Sequence, residues 1–124
     1  MKLEDLEIYN LSMDLADKIY HVIEAFSIFQ RDTLGKQWVR AVDSVSLNLG
    51  EGFGRYTFKD SRAFSIIARG SLYESKTCLE IAFRRSFISE ELYNALLRDH
   101  NHLGVKLNNF INSQSNLMKK NDHK

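Results

Sequence analysis

Small and polar side chains recur at helical spacing through the middle of this chain, where an amphipathic helix ordinarily carries large aliphatic residues. Ala41, Ser44, Asn48 and Gly52 fall on one stripe, and Ala68, Ser71, Ser75, Cys78 and Ala82 fall on another. Steps of three and four residues return a side chain to the same helix face. Two faces short of bulk can approach closely and be joined by polar cross-links. The chain contains no proline, so nothing in it forces a long helix to break.

The apolar pattern divides the chain into four helical stretches. Ile8, Leu11, Leu15, Ile19, Val22 and Phe26 mark the first, with Asp14, Asp17, Lys18 and Glu24 off that stripe. Ser27 to Thr33 interrupts the pattern, which resumes through Leu34, Trp38, Ala41, Val45, Leu49 and Phe53. Gly50, Gly52 and Gly54 loosen the end of this second helix, and Thr57 with Asp60 is placed as a capping box for a third. Phe64, Ile67, Ala68, Leu72 and Leu79 carry that helix to about Arg85, where cations sit well beside exposed carbonyls. Ser89 caps a fourth, with Glu90 and Glu91 in its first turn and Leu92, Leu96, Leu103, Leu107 and Phe110 or Ile111 on its apolar face. No segment alternates apolar and polar residues over strand length. Short connections between amphipathic helices predict an all-α fold, an antiparallel up-down-up-down four-helix bundle. One domain over residues 1–113 and a polar, flexible tail over 114–124 are expected.

At 124 residues and 44% hydrophobic content, the chain can build one ordinary core. It has no run near the roughly 18 apolar residues of a membrane span, and its start lacks the basic-then-apolar order of a signal peptide. A cytoplasmic setting without membrane contact is therefore expected. The single Cys78 has no partner for an internal disulfide and reads as a small buried thiol. His21, His100, His102 and His123 include no pair four residues apart and no accompanying cysteine pair, so no metal site is expected and surface roles are predicted for all of them. Gly50 to Gly54 follows a helix and lacks the Lys-Ser or Lys-Thr pair of a nucleotide loop. Gly70-Ser71 lacks the glycine spacing and preceding strand of a nucleophile elbow. No catalytic residue and no cofactor is predicted.

The net charge of +1 hides a division along the chain. Residues 1–30 carry two Lys and six acidic groups, whereas residues 31–85 carry ten basic and six acidic groups. That asymmetry suits either attraction of a nucleic acid or the meeting of acidic and basic surfaces on identical subunits.

Gln37 with Arg40-Ala41, the stretch Ser44 to Arg55 containing Asn48 and Glu51-Gly52, and Ala68-Arg69-Gly70-Ser71-Leu72 with Glu74 together resemble a known signature. It is that of small bacterial four-helix bundle proteins first noticed as products of intervening sequences in 23S ribosomal RNA genes. The resemblance covers roughly residues 5–112. Ser27 and Ser46 stand where that family often has proline, and Gly50 where alanine is usual. The resemblance implies a homopentamer around a central channel, with a biochemical role mostly unassigned. A related branch, the accessory proteins of diversity-generating retroelements, is strongly basic and associates with nucleic acid and a reverse transcriptase. At +1, this chain is far less basic.

Two sets of residues are singled out as candidate sites. Gln37, Arg40, Ser44, Asn48, Glu51, Gly52, Arg55, Arg69, Gly70, Ser71 and Glu74 form a structural polar motif that fixes helix register. Within it, a buried Glu51 is expected to find Arg55, Arg69 or a backbone amide, and Asn48 to bond Ser71 or a loop. Arg40, Arg55, Lys59, Arg62, Arg69 and Lys76, with Tyr56 and Tyr73 nearby, are the candidate contacts to RNA or DNA, phosphates being gripped while bases stack. The alternative for the same cations is a solvated face or a subunit contact. Trp38, Phe53, Phe64 and Phe83 are the expected aromatic anchors of core or subunit contacts. The leading reading is a non-enzymatic, self-associating bundle whose rim presents a surface to a protein partner. The alternative is a nucleic-acid-binding accessory module.

Overall fold

A computed structural model describes residues 1–122 of the chain. After a single 3-10 turn at Leu3–Asp5 come four main helices: α1 (Glu7–Glu24), α2 (Lys36–Phe53), α3 (Phe58–Arg84) and α4 (Glu90–Asp122). Cross-helix bonds fix their directions. Ser44 meets Ser71 while Trp38 meets Ser75, so α2 and α3 run oppositely. Ser61 meets Gln114 while Ser75 meets His100, and Lys18 meets Asp99 while Glu7 meets Lys106, so α4 runs against both α3 and α1. Each helix packs on its sequence neighbour and α1 also packs on α4, which closes an antiparallel four-helix bundle.

The core lies along the axis. Ile19, Trp38, Val45, Leu79 and Leu107 are fully buried, and Val42 and Leu103 nearly so. Ser12, Ala16 and Ile23 are buried beside the expected α1 positions Ile8, Leu15, Ile19 and Phe26. The buried stripe is thus wider than its largest side chains suggest. Ser12 and Ser46 satisfy one another inside it at 2.8 Å, so the serine at 46 contributes a cross-link from α1 to α2.

Two boundaries differ from the sequence reading. Residues 28–35 are helical rather than interrupted: a turn at Ile28–Gln30 passes through a π-helical stretch, Arg31–Gly35, directly into α2. Ser27 starts it with a reciprocal cap, its hydroxyl accepting from the Gln30 amide at 3.1 Å while the Gln30 side chain accepts from the Ser27 amide at 3.0 Å. At the other end, α4 continues through Asp122, well past the 113 boundary expected for a flexible tail. Gln114 is 4% exposed against Ser61, and Ser115 accepts from Arg62 at 2.6 Å, so the first turns of the long α3 hold this polar segment.

The remaining connections are tight. Thr57 caps α3 by accepting from the Asp60 amide at 3.1 Å, and Ser89 caps α4 through the Leu92 amide at 3.1 Å. After α3 the chain reverses at Ser86, whose φ of 60° is left-handed. The Phe87 amide reaches back to the Ala82 carbonyl at 2.8 Å, and the Phe87 ring meets Phe26 edge-on at 5.7 Å.

Candidate functional site

The α2–α3 seam contains two polar systems at different depths. The inner one is a relay. Trp38 Nε1–H donates to Ser75 Oγ at 3.0 Å, Ser75 lies 2.8 Å from His100 Nε2, and His100 Nδ1 lies 2.7 Å from the Leu96 carbonyl. A carbonyl can only accept, so Nδ1 carries the proton, Nε2 accepts, and Ser75 donates. Every member is satisfied with the imidazole neutral. Burial pushes the His100 pKa below its ordinary value, overriding the opposing effects of the Leu96 carbonyl and Asp99, with Lys76 adding to the lowering. The expected surface role for His100 is therefore corrected: it is 2% exposed. Its spacing from Leu96, Leu103 and Leu107 puts it on the apolar stripe of α4, a signal present in the sequence.

The outer system divides the predicted motif. Ser71 Oγ donates to Ser44 Oγ at 2.9 Å, and Asn48 Nδ2 reaches the Ser44 carbonyl at 2.8 Å and its hydroxyl at 2.9 Å. Ser44, rather than Asn48, is the junction. At Gly52 an added Cβ would lie 3.0 Å from both Phe64 Cβ and the Ser61 carbonyl, so any larger residue there would force the helices apart by a few tenths of an ångström.

Glu51 is not buried as expected. Its side chain is 54% exposed and pairs with Arg55 at 2.7 Å, an arrangement worth roughly 0.3–0.5 kcal/mol. Arg55 also lies over the Phe64 ring, 4.7 Å from its centroid. Arg69 turns away to the other flank of α3, 5.9 Å from the Tyr73 centroid. Gln37, Arg40, Gly70 and Glu74 are exposed. Two large aliphatics of these helices are also left outside the core, Leu47 at 71% exposure and Ile67 at 51%. One is a turn beyond Ser44 and the other a turn before Ser71, which sets them at the same level of the antiparallel pair. Nothing lies within 4 Å of a Cβ built on Gly70.

The six candidate phosphate contacts do not form one track. Arg55 is paired with Glu51, and Arg62 donates to Ser115. Arg40 lines a groove beside α1 with Lys36 and Arg31, while Lys59 stands exposed near the start of α3. Only Arg69 and Lys76 come together, lining with Tyr73, Asn101 and Asn108 a groove of about 250 Å³ between α3 and α4 that holds no carboxylate. A separate groove of about 440 Å³ between α1 and α2 is acidic, with Asp17, Asp43 and Glu51 beside Met13 and Leu47. Burial and then the nearby Asp17 raise the Asp43 pKa.

Of the expected aromatic anchors, Trp38 is fully buried, Phe83 stacks on Tyr93 at 4.3 Å, and Phe53 is 38% exposed. Cys78 is 2% exposed and its thiol is pushed up to about 11 by burial and by Glu74, leaving negligible thiolate at neutral pH. Among the described residues, no group of three or more His, Cys, Asp or Glu is placed to hold a metal, and no helix is long and apolar enough to cross a membrane. His123 lies outside the described residues.

An all-α bundle with the Trp38–Ser75–His100 relay in its core defines a class of small helical proteins rather than a chemistry. Within that class, residues 4–109 match the model of the 23S rRNA-intervening sequence protein family, and the chain belongs to it. The fold is shared with a crystal structure of a protein of unknown function from the S23 ribosomal protein family of Bacteroides thetaiotaomicron. The two are 21% identical, the match covers 84% of this chain and 97% of the other, and the TM-score is 0.76. No curated protein matches.

Proposed function

We infer that this chain is a non-enzymatic, self-assembling interaction module of the cytosol, and that its copies dock through the outer α2–α3 face. The observation that carries this reading is the conjunction of Leu47, Ile67 and Gly70. Two exposed aliphatics flank the seam, Leu47 on the α2 side where it rims the α1–α2 groove and Ile67 on α3, and α3 also carries a mid-helix glycine with open space around it. Glycine in a helix interior costs about 1 kcal/mol relative to alanine. The chain's own packing does not require it at 70, whereas close approach by another backbone would. A five-membered ring, the assembly implied by the family resemblance, also needs two different patches that fit each other. The acidic groove at Asp17 and Asp43 and the basic groove at Arg69 and Lys76 have the complementary charge.

Light scattering on the intact chain tests this. A pentamer is expected, and Leu47→Asp with Ile67→Asp should give folded monomers. A monomeric parent protein, or a double variant of unchanged mass, would refute it.

A second reading, a nucleic-acid-binding accessory protein, is favoured by the convergence of Arg69, Lys76 and Tyr73 on a groove free of carboxylates. Anisotropy with labelled single-stranded and duplex RNA and DNA should then show affinity at about 50 mM salt that falls steeply by about 200 mM. Charge reversal at Arg69 and Lys76 should abolish it.

A further inference from the structure

The groove of about 250 Å³ between α3 and α4 brings together two cations that no carboxylate of this chain neutralises. Lys18, Lys36, Arg55 and Lys106 lie 2.7–3.3 Å from a carboxylate, whereas Arg69 and Lys76 have no ion-pair partner among the described residues. Lys76 is also half-buried, so water compensates its charge less fully than on an open surface. Arg69, Tyr73 and Lys76 follow one another at steps of four and three on one face of α3. The Arg69 guanidinium lies 5.9 Å from the centroid of Tyr73, which stands between the two cations along the helix. Their Cα atoms are about 10 Å apart along the axis, a gap that two long side chains close from either end. Ser75 meets His100 across the groove floor, so Asn101, next along α4, comes level with the stretch between Tyr73 and Lys76.

We propose that this groove binds one phosphomonoester dianion carried on a small organic body, with Arg69 and Lys76 meeting its charge and the Asn101 amide donating to one of its oxygens. The lining selects this class. With no carboxylate in its walls, the groove favours an anion. A phosphomonoester carries about −1.5 to −2 charges at neutral pH and three acceptor oxygens, so one group answers both cations and the amide. Arg69 can engage two of those oxygens at once. Leu72 and Val105 give the body an apolar wall, Gly104 adds no side chain to crowd it, and the small volume suits a one-ring fragment. A nucleic acid would need further cations in line for its successive phosphates, and Arg40, Arg55, Lys59 and Arg62 lie elsewhere. The proposal thus goes beyond the nucleic-acid reading of the same groove, because a single phosphate suffices and no chain of them is required.

The test compares phenyl phosphate with phenyl sulfate, which has the same shape and a single negative charge. Binding to the full-length protein is measured by calorimetry at about pH 7.5, where the phosphate is doubly charged, and located by 15N amide shifts. Phenyl phosphate is expected to bind saturably and about tenfold more tightly than phenyl sulfate, with shifts centred on Tyr73, Lys76, Asn101 and Gly104. The bound anion should also raise the His100 pKa, because it offsets Lys76, the charge that lowers it, and adds to the effect of Asp99. Lys76→Gln should remove the preference for phosphate. If that variant does not fold, Arg69→Gln at an exposed position makes the same comparison. Equal affinities in the parent protein, shifts centred elsewhere or no saturable binding would overturn the proposal. An oligonucleotide without a terminal phosphate that binds where phenyl phosphate does not would overturn it while leaving the nucleic-acid reading standing. A pentamer that binds neither would overturn it and leave self-assembly intact, with Asp17 and Asp43 of a second copy as the occupants of the groove.

Discussion

Gly52 and Gly70 stand on facing helices of one seam, yet they answer to different neighbours. A side chain at 52 would press on Ser61 and Phe64 at 3.0 Å, whereas a side chain at 70 would meet empty space. The first glycine is explained by this chain alone. No contact within the described residues requires the second. An inner polar relay and an outer polar fringe repeat the contrast: Trp38, Ser75 and His100 satisfy each other in the core, while Gln37, Arg40 and Glu74 face outward.

Substitutions can break this contrast, beginning with the largest expected effect. Gly52→Val should destabilise the fold by about 3 kcal/mol, the upper end for overpacking, read as a lowered denaturation midpoint. A loss under about 1 kcal/mol would mean that the helices can separate there. Ser75→Ala should cost about 2 kcal/mol, because it strands both the Trp38 N–H and His100 Nε2. Changes in both Trp38 fluorescence and the His100 ring resonances would tie that loss to the relay.

The relay also has a pH signature. His100 titrates lower when folded than unfolded. The unfolded chain therefore binds the extra proton, and this contribution to stability is intact above the ordinary imidazole value of about 6.5. It is lost as pH falls from there toward the lower folded value. Denaturation midpoints at successive pH values should decline more steeply for the parent protein than for His100→Gln.

Gly70→Ala separates the two glycines most directly. Folding should gain up to about 1 kcal/mol from helix propensity while self-association weakens, measured by unfolding and light scattering on the same sample. A gain in both would remove the argument for close approach. Smallest of all, Glu51→Ala should change stability by no more than about 0.5 kcal/mol, as befits a solvated pair.

Much of the fold was legible because periodicity and caps are local. Thr57 and Ser89 start their helices where their spacing indicates. The Ser27 and Gln30 cap was equally local, but it was hidden because Ile28 and Phe29 beside it are exposed and continue no apolar stripe. Depth was less legible. Spacing puts Ser44, Asn48, Glu51 and Arg55 on adjoining positions without saying which of them the neighbouring helix covers. Arg69 and Lys76 share a groove because α4 lies beside them, a long-range fact. The polar segment after 113 could not be recognised as helix from its composition, because Ser61 and Arg62, its partners, are about fifty positions away.

The π-helical stretch at Arg31–Gly35 has a consequence for how this chain tolerates change. A π turn holds about one residue more than an α turn, so everything after it is rotated relative to a continuous α-helix by roughly a quarter of a circle. It acts as a phase adjuster between the cap at Ser27 and the core position of Trp38. Losing one residue from this stretch could relax it to ordinary α-helix and leave the downstream phase intact. The same deletion inside α2 would turn Val42, Val45 and Leu49 off the core.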